Sequence, residues 1–551
     1  MYGFTPMKYS GNYREQTQDT FGGMDWRAAA GDGALAVSFN MSAERYPALT
    51  VRPRRGVHAT VEKPNGLLVR GCIAWVSGGT LVVDGEAVAE LTEGPKMMVG
   101  IQEKICIWPD KKIYDRRTGE LTEMEATWQG EGAFVSGTYA GEPATENTIE
   151  VAGDVTKLFR AGDGVAVTVI PGGAGVNKTY GAYVIQEVEY DSTDDETELR
   201  FLEGTWQEMM QQGPDIGFKT TIRIQRRAPE LEGAFEHHNR IWGWHGGTIC
   251  CCALGSPDNW EVFGGESTDS WELVTGSAGS ITGGISYGGR PVFFKEDRII
   301  RLYGDYPAQY STSESESLGV EAGSGKSLAI AGDTLFYKSL RGIMAYTGGY
   351  PYAVGEEFGE SRYRNAVAGS DGVRYYISME NEDGAYNLFC FDTRNRVWHQ
   401  EDGMTFSGMG WHEELYALEE RNRGTPYHMG TVYILGQRRV KTPGEEGIVT
   451  KVEFADFTEG TTRKKGVSRL VLRLEVDKNT TLRISVRYDS RGDWLLLKEL
   501  TGELVKGQTE VIVPIRRCDH YRIKLEGSGL GGCGWTLYSL TRQRRIGSNK
   551  R

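Results

Sequence analysis

Several stretches of this chain carry residue types that could do chemistry. The segment Gly319-Val-Glu-Ala-Gly-Ser-Gly-Lys-Ser327 has the Gly-Lys-Ser ending of a phosphate-cradling loop. That loop needs a glycine five residues before its last glycine, and Val320 stands there. No strand is expected before it and no long helix after it, so it reads as a polar loop. His237, His238 and His245 lie near Cys250-Cys-Cys252, which suggests zinc. Neighbouring residues on a strand point to opposite faces, so three consecutive thiols cannot converge, and C-x2–4-C spacing is absent. Ser256-Pro-Asp-Asn-Trp260 and Ser490-Arg-Gly-Asp-Trp494 half match the Ser-x-Asp-x-Gly-x-Thr-Trp turn of sialidase-type propellers. A sialidase would also need an arginine cluster and a Tyr/Glu nucleophile pair. Asp191–Glu196 is an acidic loop of the kind that can hold calcium, and it reads as a solvated turn. Arg491-Gly-Asp493 reads as a hairpin turn. Asn40, Asn177 and Asn479 head Asn-x-Ser/Thr triplets, which imply nothing without a secretory signal. The sequence thus offers no catalytic, cofactor-binding or metal-ligating set, and the expectation is a protein that is not an enzyme.

The elements that would position these residues are short strands. Asn239–Trp244, Ile249–Trp260, Pro291–Tyr303 and Asp333–Tyr346 each run apolar, polar turn, apolar, which is the outline of a β-hairpin. Hairpins begin near 79, 104, 239, 289, 333, 372 and 414. From 239 onward they recur at roughly the 40–50 residues of a propeller blade. The predicted fold is all-β: a six- or seven-bladed β-propeller, with blades at 61–123 and 228–440. Residues 124–227 break the pattern with five predicted strands and read as an inserted small β-barrel-like domain. Residues 441–551 alternate apolar and polar and read as a C-terminal β-sandwich ending in a basic tail around Arg542-Gln-Arg-Arg545. Residues 1–60 read as an extended N-terminal arm ending at Arg52-Pro-Arg-Arg55. Short helices are expected only around Thr205–Gln212 and Glu413–Arg421.

Composition agrees with many strands joined by tight turns. The 551 residues include 74 glycines, nearly twice the usual ~7%, and 58 aromatic residues (27 Tyr, 18 Phe, 13 Trp). Net charge is −13, which argues against a general nucleic-acid surface. No apolar run reaches the length of a membrane span, and the first residues lack the apolar core of a signal peptide, so synthesis in a cytoplasm is expected. Eight cysteines without framework spacing read as reduced and structural.

Four features together resemble a known family. They are the arm with Asn40-Met-Ser, Tyr46-Pro-Ala-Leu49 and Arg52; Asn239-Arg-Ile-Trp242 with Ser256–Trp260; Lys295-Glu-Asp-Arg-Ile-Ile-Arg-Leu-Tyr-Gly304; and the closing Arg516–Gly529. The order and texture of the chain outside the insertion are similar to the β-propeller tail hub, stabilisation and nozzle proteins of tailed bacteriophages. The resemblance implies a virion tail component made in the host bacterial cytoplasm. It implies a homo-oligomeric ring, a hexamer, below the portal and adaptor. Fibres, spikes or a needle would attach to it, and phage DNA would pass through without sequence-specific binding. It carries over no catalytic residues and no cofactors. A ring of six would carry about −78, and acidic walls would repel the phosphates in transit. The alternative is a virion-borne propeller that binds or cleaves carbohydrate on the host surface.

Overall fold

Glycine turns and β-branched or aromatic runs dictate hairpins, and the computed structural model of the chain is built from them. It describes residues 13–27, 30–136, 147–170, 177–201, 219–436, 444–445, 447–501, 505–529 and 534–546. Among these there is no α-helix, only three single-turn 3-10 segments, and no helix long and apolar enough to cross a membrane. The expected helix at Glu413–Arg421 is instead the strand Glu414–Arg421. Its Leu, Ala and Glu favour a helix, but Leu415, Ala417 and Leu418 are all buried in the sheet, and packing overrides propensity. The expected helix at Thr205–Gln212 lies outside the described residues.

The fold is a β-propeller with extra β domains. Six four-stranded antiparallel sheets, and four consecutive antiparallel strands of a nine-stranded sheet, form its seven blades among the described residues. Four fall in the compact unit Asn65–Gly325. Their second strands are Ile73–Ser77, Lys104–Trp108, Arg240–His245 and Arg290–Phe294. The other three fall in the unit formed by Met1–Pro64 and Lys326–Arg551, with second strands Thr334–Ser339, Arg374–Asn381 and Glu414–Arg421. The seventh blade takes its outer strand, Gly56–Glu62, from the N-terminal region, which pairs antiparallel with Met429–Leu435. An early strand closing the last blade removes one open sheet edge.

The inserted domain is a closed six-stranded barrel. Its first strand, Ala126–Ser136, escapes the sequence pattern because Gly130 and Gly132 interrupt it. The side chain of Trp128 folds over Gly130, where a Cβ would sit 2.7 Å from the indole.

The C-terminal sandwich has strands at Lys465–Val476, Thr480–Tyr488, Arg491–Thr501, Val505–Ile512, Tyr521–Gly529 and Trp535–Ile546. The described residues of the first 60, read from sequence as an arm, carry five strands. Tyr13–Gln18 and Leu49–Val51 pair with Trp535–Ile546, and Leu35–Phe39 pairs with Thr450–Phe454. Phe21, Leu35, Met41 and Leu49 are buried in the sandwich core. The Leu35–Phe39 strand also meets the sixth blade, through Phe39 and Gln400, so blade and sandwich share one nine-stranded sheet. In the part of the basic tail that is described, Arg542 and Arg544 are buried and ion-paired to Glu459 at 2.9 and 3.1 Å.

Candidate functional site

The half-matched turn Ser256–Trp260 lies in the long loop of the third blade between Thr248–Cys251 and Trp271–Val274. It docks the inserted barrel. Asp258 is buried and accepts two hydrogen bonds from the Arg160 guanidinium, at 2.9 and 2.7 Å. Asn259 donates to Asp163 at 3.0 Å and accepts from the Gly164 N–H at 3.3 Å. Trp260 donates its indole N–H to the Pro257 carbonyl at 2.8 Å and packs edge-on against Trp108. On the barrel side Asp163 is fully buried and receives Arg226 at 2.5 Å. Arg226 also donates to the Met124 carbonyl at 3.1 Å, at the point where the chain enters the barrel. Next to it, Arg227 holds Glu261 through two bonds of 2.9 and 2.7 Å. A buried charge is tolerated only when paired and hydrogen-bonded, and here every member is. The junction fixes the direction of the barrel relative to the third blade.

A second buried cluster was not singled out by sequence reasoning, because its members are far apart in the chain. Arg52 donates to Glu445 at 2.7 and 2.8 Å. Arg55, only 1% exposed, donates to Glu401 at 2.7 Å and to Asp402. Burial alone would raise the Glu445 carboxyl, but the Arg52 and Arg55 guanidiniums outweigh it and hold it below its ordinary value. The cluster anchors the Arg52-Pro-Arg-Arg55 segment, and with it the closing strand Gly56–Glu62. The one signal in the sequence was that basic tetrapeptide.

The remaining candidates are dispersed or consumed. Cys250 and Cys252 face one core cluster, with Trp108 and Trp260, while Cys251 faces another, with Trp242 and Phe293. Burial pushes the Cys252 thiol up to about 12. His237 stacks on His238 with ring centroids 3.9 Å apart and bonds Ser286 at 2.8 Å. Among the described residues no group of three or more His, Cys, Asp or Glu is placed to hold a metal. Gly319 and Gly325 serve close approach: a Cβ would sit 1.9 Å from the Lys295 carbonyl and 2.5 Å from that of Thr282. Lys326 donates to the Ser407 carbonyl and the Ser327 hydroxyl accepts from the Lys338 N–H. In the acidic loop, Asp191 accepts from the Thr193 N–H and Asp195 from the Tyr190 hydroxyl. Ser490 sits in a turn with φ near 51° and its hydroxyl is 2.8 Å from His520 Nε2. Asp456 approaches that same nitrogen at 3.8 Å, whereas a nucleophilic triad needs the carboxylate on the other one.

No family model matches the chain, and neither does any curated protein. Among solved structures the chain is similar to an exo-β-1,3-galactanase from Phanerochaete chrysosporium with galactose, at 10% identity and TM-score 0.23 over 56% of this chain and 95% of that one. It is similar to a Trypanosoma rangeli sialidase at 7% identity and TM-score 0.22 over 97% and 96%. It is also similar to a family 43 arabinoxylan arabinofuranohydrolase from Bacillus subtilis at 10% identity and TM-score 0.14 over 71% and 96%. These neighbours correct one expectation. All three are enzymes on propeller-type folds, so the reading of this chain as a non-enzyme is withdrawn. At these scores the likeness transfers no activity and no residue role.

Proposed function

We propose that this chain is a structural component of a bacteriophage tail, a subunit of a hub or nozzle ring below the portal and adaptor. DNA passes through the ring, and fibres or a needle attach to it. The observation that carries this reading is the barrel–blade junction. The charged groups of Asp163, Arg226 and Asp258, with the Asn259 amide bridging to Asp163, hold one module against the next. A part that transmits load between neighbours needs that rigidity. The Arg52/Arg55/Glu401/Asp402/Glu445 cluster supports it, by anchoring the strand that closes the seventh blade. The net charge of −13 supports passage of DNA without adhesion.

The test is assembly. Light scattering on the purified chain mixed with its portal–adaptor complex is expected to show a defined ring of copies added to the portal. A chain that stays monomeric with the portal and instead binds or cleaves surface glycans overturns the reading in favour of a glycan-acting propeller.

A further inference from the structure

We propose that the hairpin turn at residues 236–239 is an acid-sensitive catch: near neutral pH it ties the first, second and third blades together, and it lets go when its two histidines charge. The turn joins the strands Gly233–His237 and Arg240–His245 of the third blade. Its two central residues, His238 and Asn239, both have left-handed backbone, with φ of 49° and 60°. Such a turn favours Asn-Gly or Asp-Gly, so a histidine in its first position depends on what surrounds it. His238 lies flat on His237, with ring centroids 3.9 Å apart and planes 18° apart. His237 is buried, and its Nδ1 is 2.8 Å from the Ser286 hydroxyl of the fourth blade. The turn reaches outward as well. Glu236 pairs with Arg70 of the first blade. The Asn239 side-chain oxygen accepts from the Gln102 amide of the second blade at 2.8 Å. The Asn239 carbonyl accepts the Gly255 N–H of the third blade's long loop at 2.9 Å. All of these residues lie within the unit Asn65–Gly325.

Charge placed on this stack is poorly compensated. Two imidazoliums at that separation repel each other. The carboxylate beside them, Glu236, is already shared between Arg70 and the Asn239 N–H, which donates to it at 2.8 Å. Arg240 stands opposite His237 in the hairpin ladder and is itself a cation, with its guanidinium turned to the carbonyls of Cys252, Ser267 and Asp269. Burial first, and then His238, depress His237 to about 4 against the opposing pull of Glu236. A histidine depressed in the closed turn and ordinary, near 6.5, in the opened one stabilises the closed turn fully above about pH 6.5. That stability is lost as the pH falls toward 4. Opening the turn removes the support for the left-handed His238 and, with it, the contacts to Arg70, Gln102 and Gly255. The catch is independent of the tail reading.

Hydrogen exchange on the full chain, corrected for the intrinsic pH dependence of the exchange chemistry, reads the catch directly. Between pH 7 and about pH 5 the opening of residues 236–241 and of the Gln102 turn should rise about thirtyfold, while Arg290–Phe294 in the fourth blade keeps its protection. His237→Gln, whose amide can still reach Ser286 but takes no charge, should flatten the rise. His238→Asn suits left-handed backbone and is never charged, so it should keep the protection seen at pH 7 and lessen the rise. Equal protection at both pH values, loosening that spreads through all four blades at once, a full rise in His237→Gln, or a rise in His238→Asn equal to the parent's would each overturn the proposal. His399 lies in the other compact unit, so its titration is read in other peptides. Failure of ring assembly would leave these results untouched.

Discussion

Buried ion pairs decide what single substitutions do. Asp163→Ala leaves buried Arg226 only the longer contact to Asp258 at 3.9 Å, and breaking such a buried pair costs up to about 3–5 kcal/mol. It is expected to lower the melting transition of the unit that carries the barrel by several degrees. Asp258→Ala should cost far less, about 1 kcal/mol, because its main partner Arg160 is 57% exposed and solvent takes over. Differential scanning calorimetry on both variants checks the ranking. His399 gives a pH signature. Burial, helped by Arg374, depresses its imidazole to about 4, and its Nδ1 lies 2.6 Å from the Ser38 hydroxyl. Below about 6.5 the unfolded chain takes up a proton that the folded chain refuses. Stability is thus complete above pH 6.5 and falls toward pH 4, by at most about 3 kcal/mol. Denaturant titrations across that window should flatten in His399→Gln. Glu445 has the same sign at lower pH: the stability its ion pairs confer is lost as the pH falls through its depressed value.

At this scale the sequence was half legible. Ser256–Trp260 stood out, but as a broken sugar-enzyme turn. Its partners Arg160, Asp163 and Arg226 lie up to a hundred residues away, and no local pattern links them.

Strands and their junctions come next. The barrel meets the third blade at Gly164, where a Cβ would sit 2.1 Å from the Glu261 carbonyl. Backbone cannot yield as a flexible side chain does, so Gly164→Ala is expected to pry the junction open. Limited proteolysis should then cut near 124–126 or 226–228 under conditions in which the parent stays intact. Blade hairpins were legible because each carries its own turn and its own apolar pair, as in Lys104–Trp108 with Lys112–Asp115. Seven hairpin starts correspond to seven blades, one of them continuous with the sandwich sheet. Elements that depend on distant partners were not legible. The N-terminal strands pair with residues several hundred positions later, so an apolar residue such as Leu35 looked stranded in a polar arm. Ala126–Ser136 was hidden by its glycines. Glu414–Arg421 looked helical because a strand buried on both faces loses its alternation.

The fold is all-β and modular and the chain is acidic, with one cluster of buried charge where the barrel meets the third blade and another at the strand that closes the seventh blade. In the proposed ring, charge also sets behaviour in transit. The surface facing DNA should be acidic or neutral, and binding of duplex DNA to the assembled ring should be weak even at low salt. Filter binding at about 50 mM salt checks this, and tight binding would place a basic lining where none is expected. An electron-microscopy reconstruction of the intact particle decides whether this chain forms a tail ring. Density is expected for six copies of the propeller in a closed ring directly below the portal and adaptor. Absence of the chain from that position, or single copies confined to the outer tips of spikes, would contradict it.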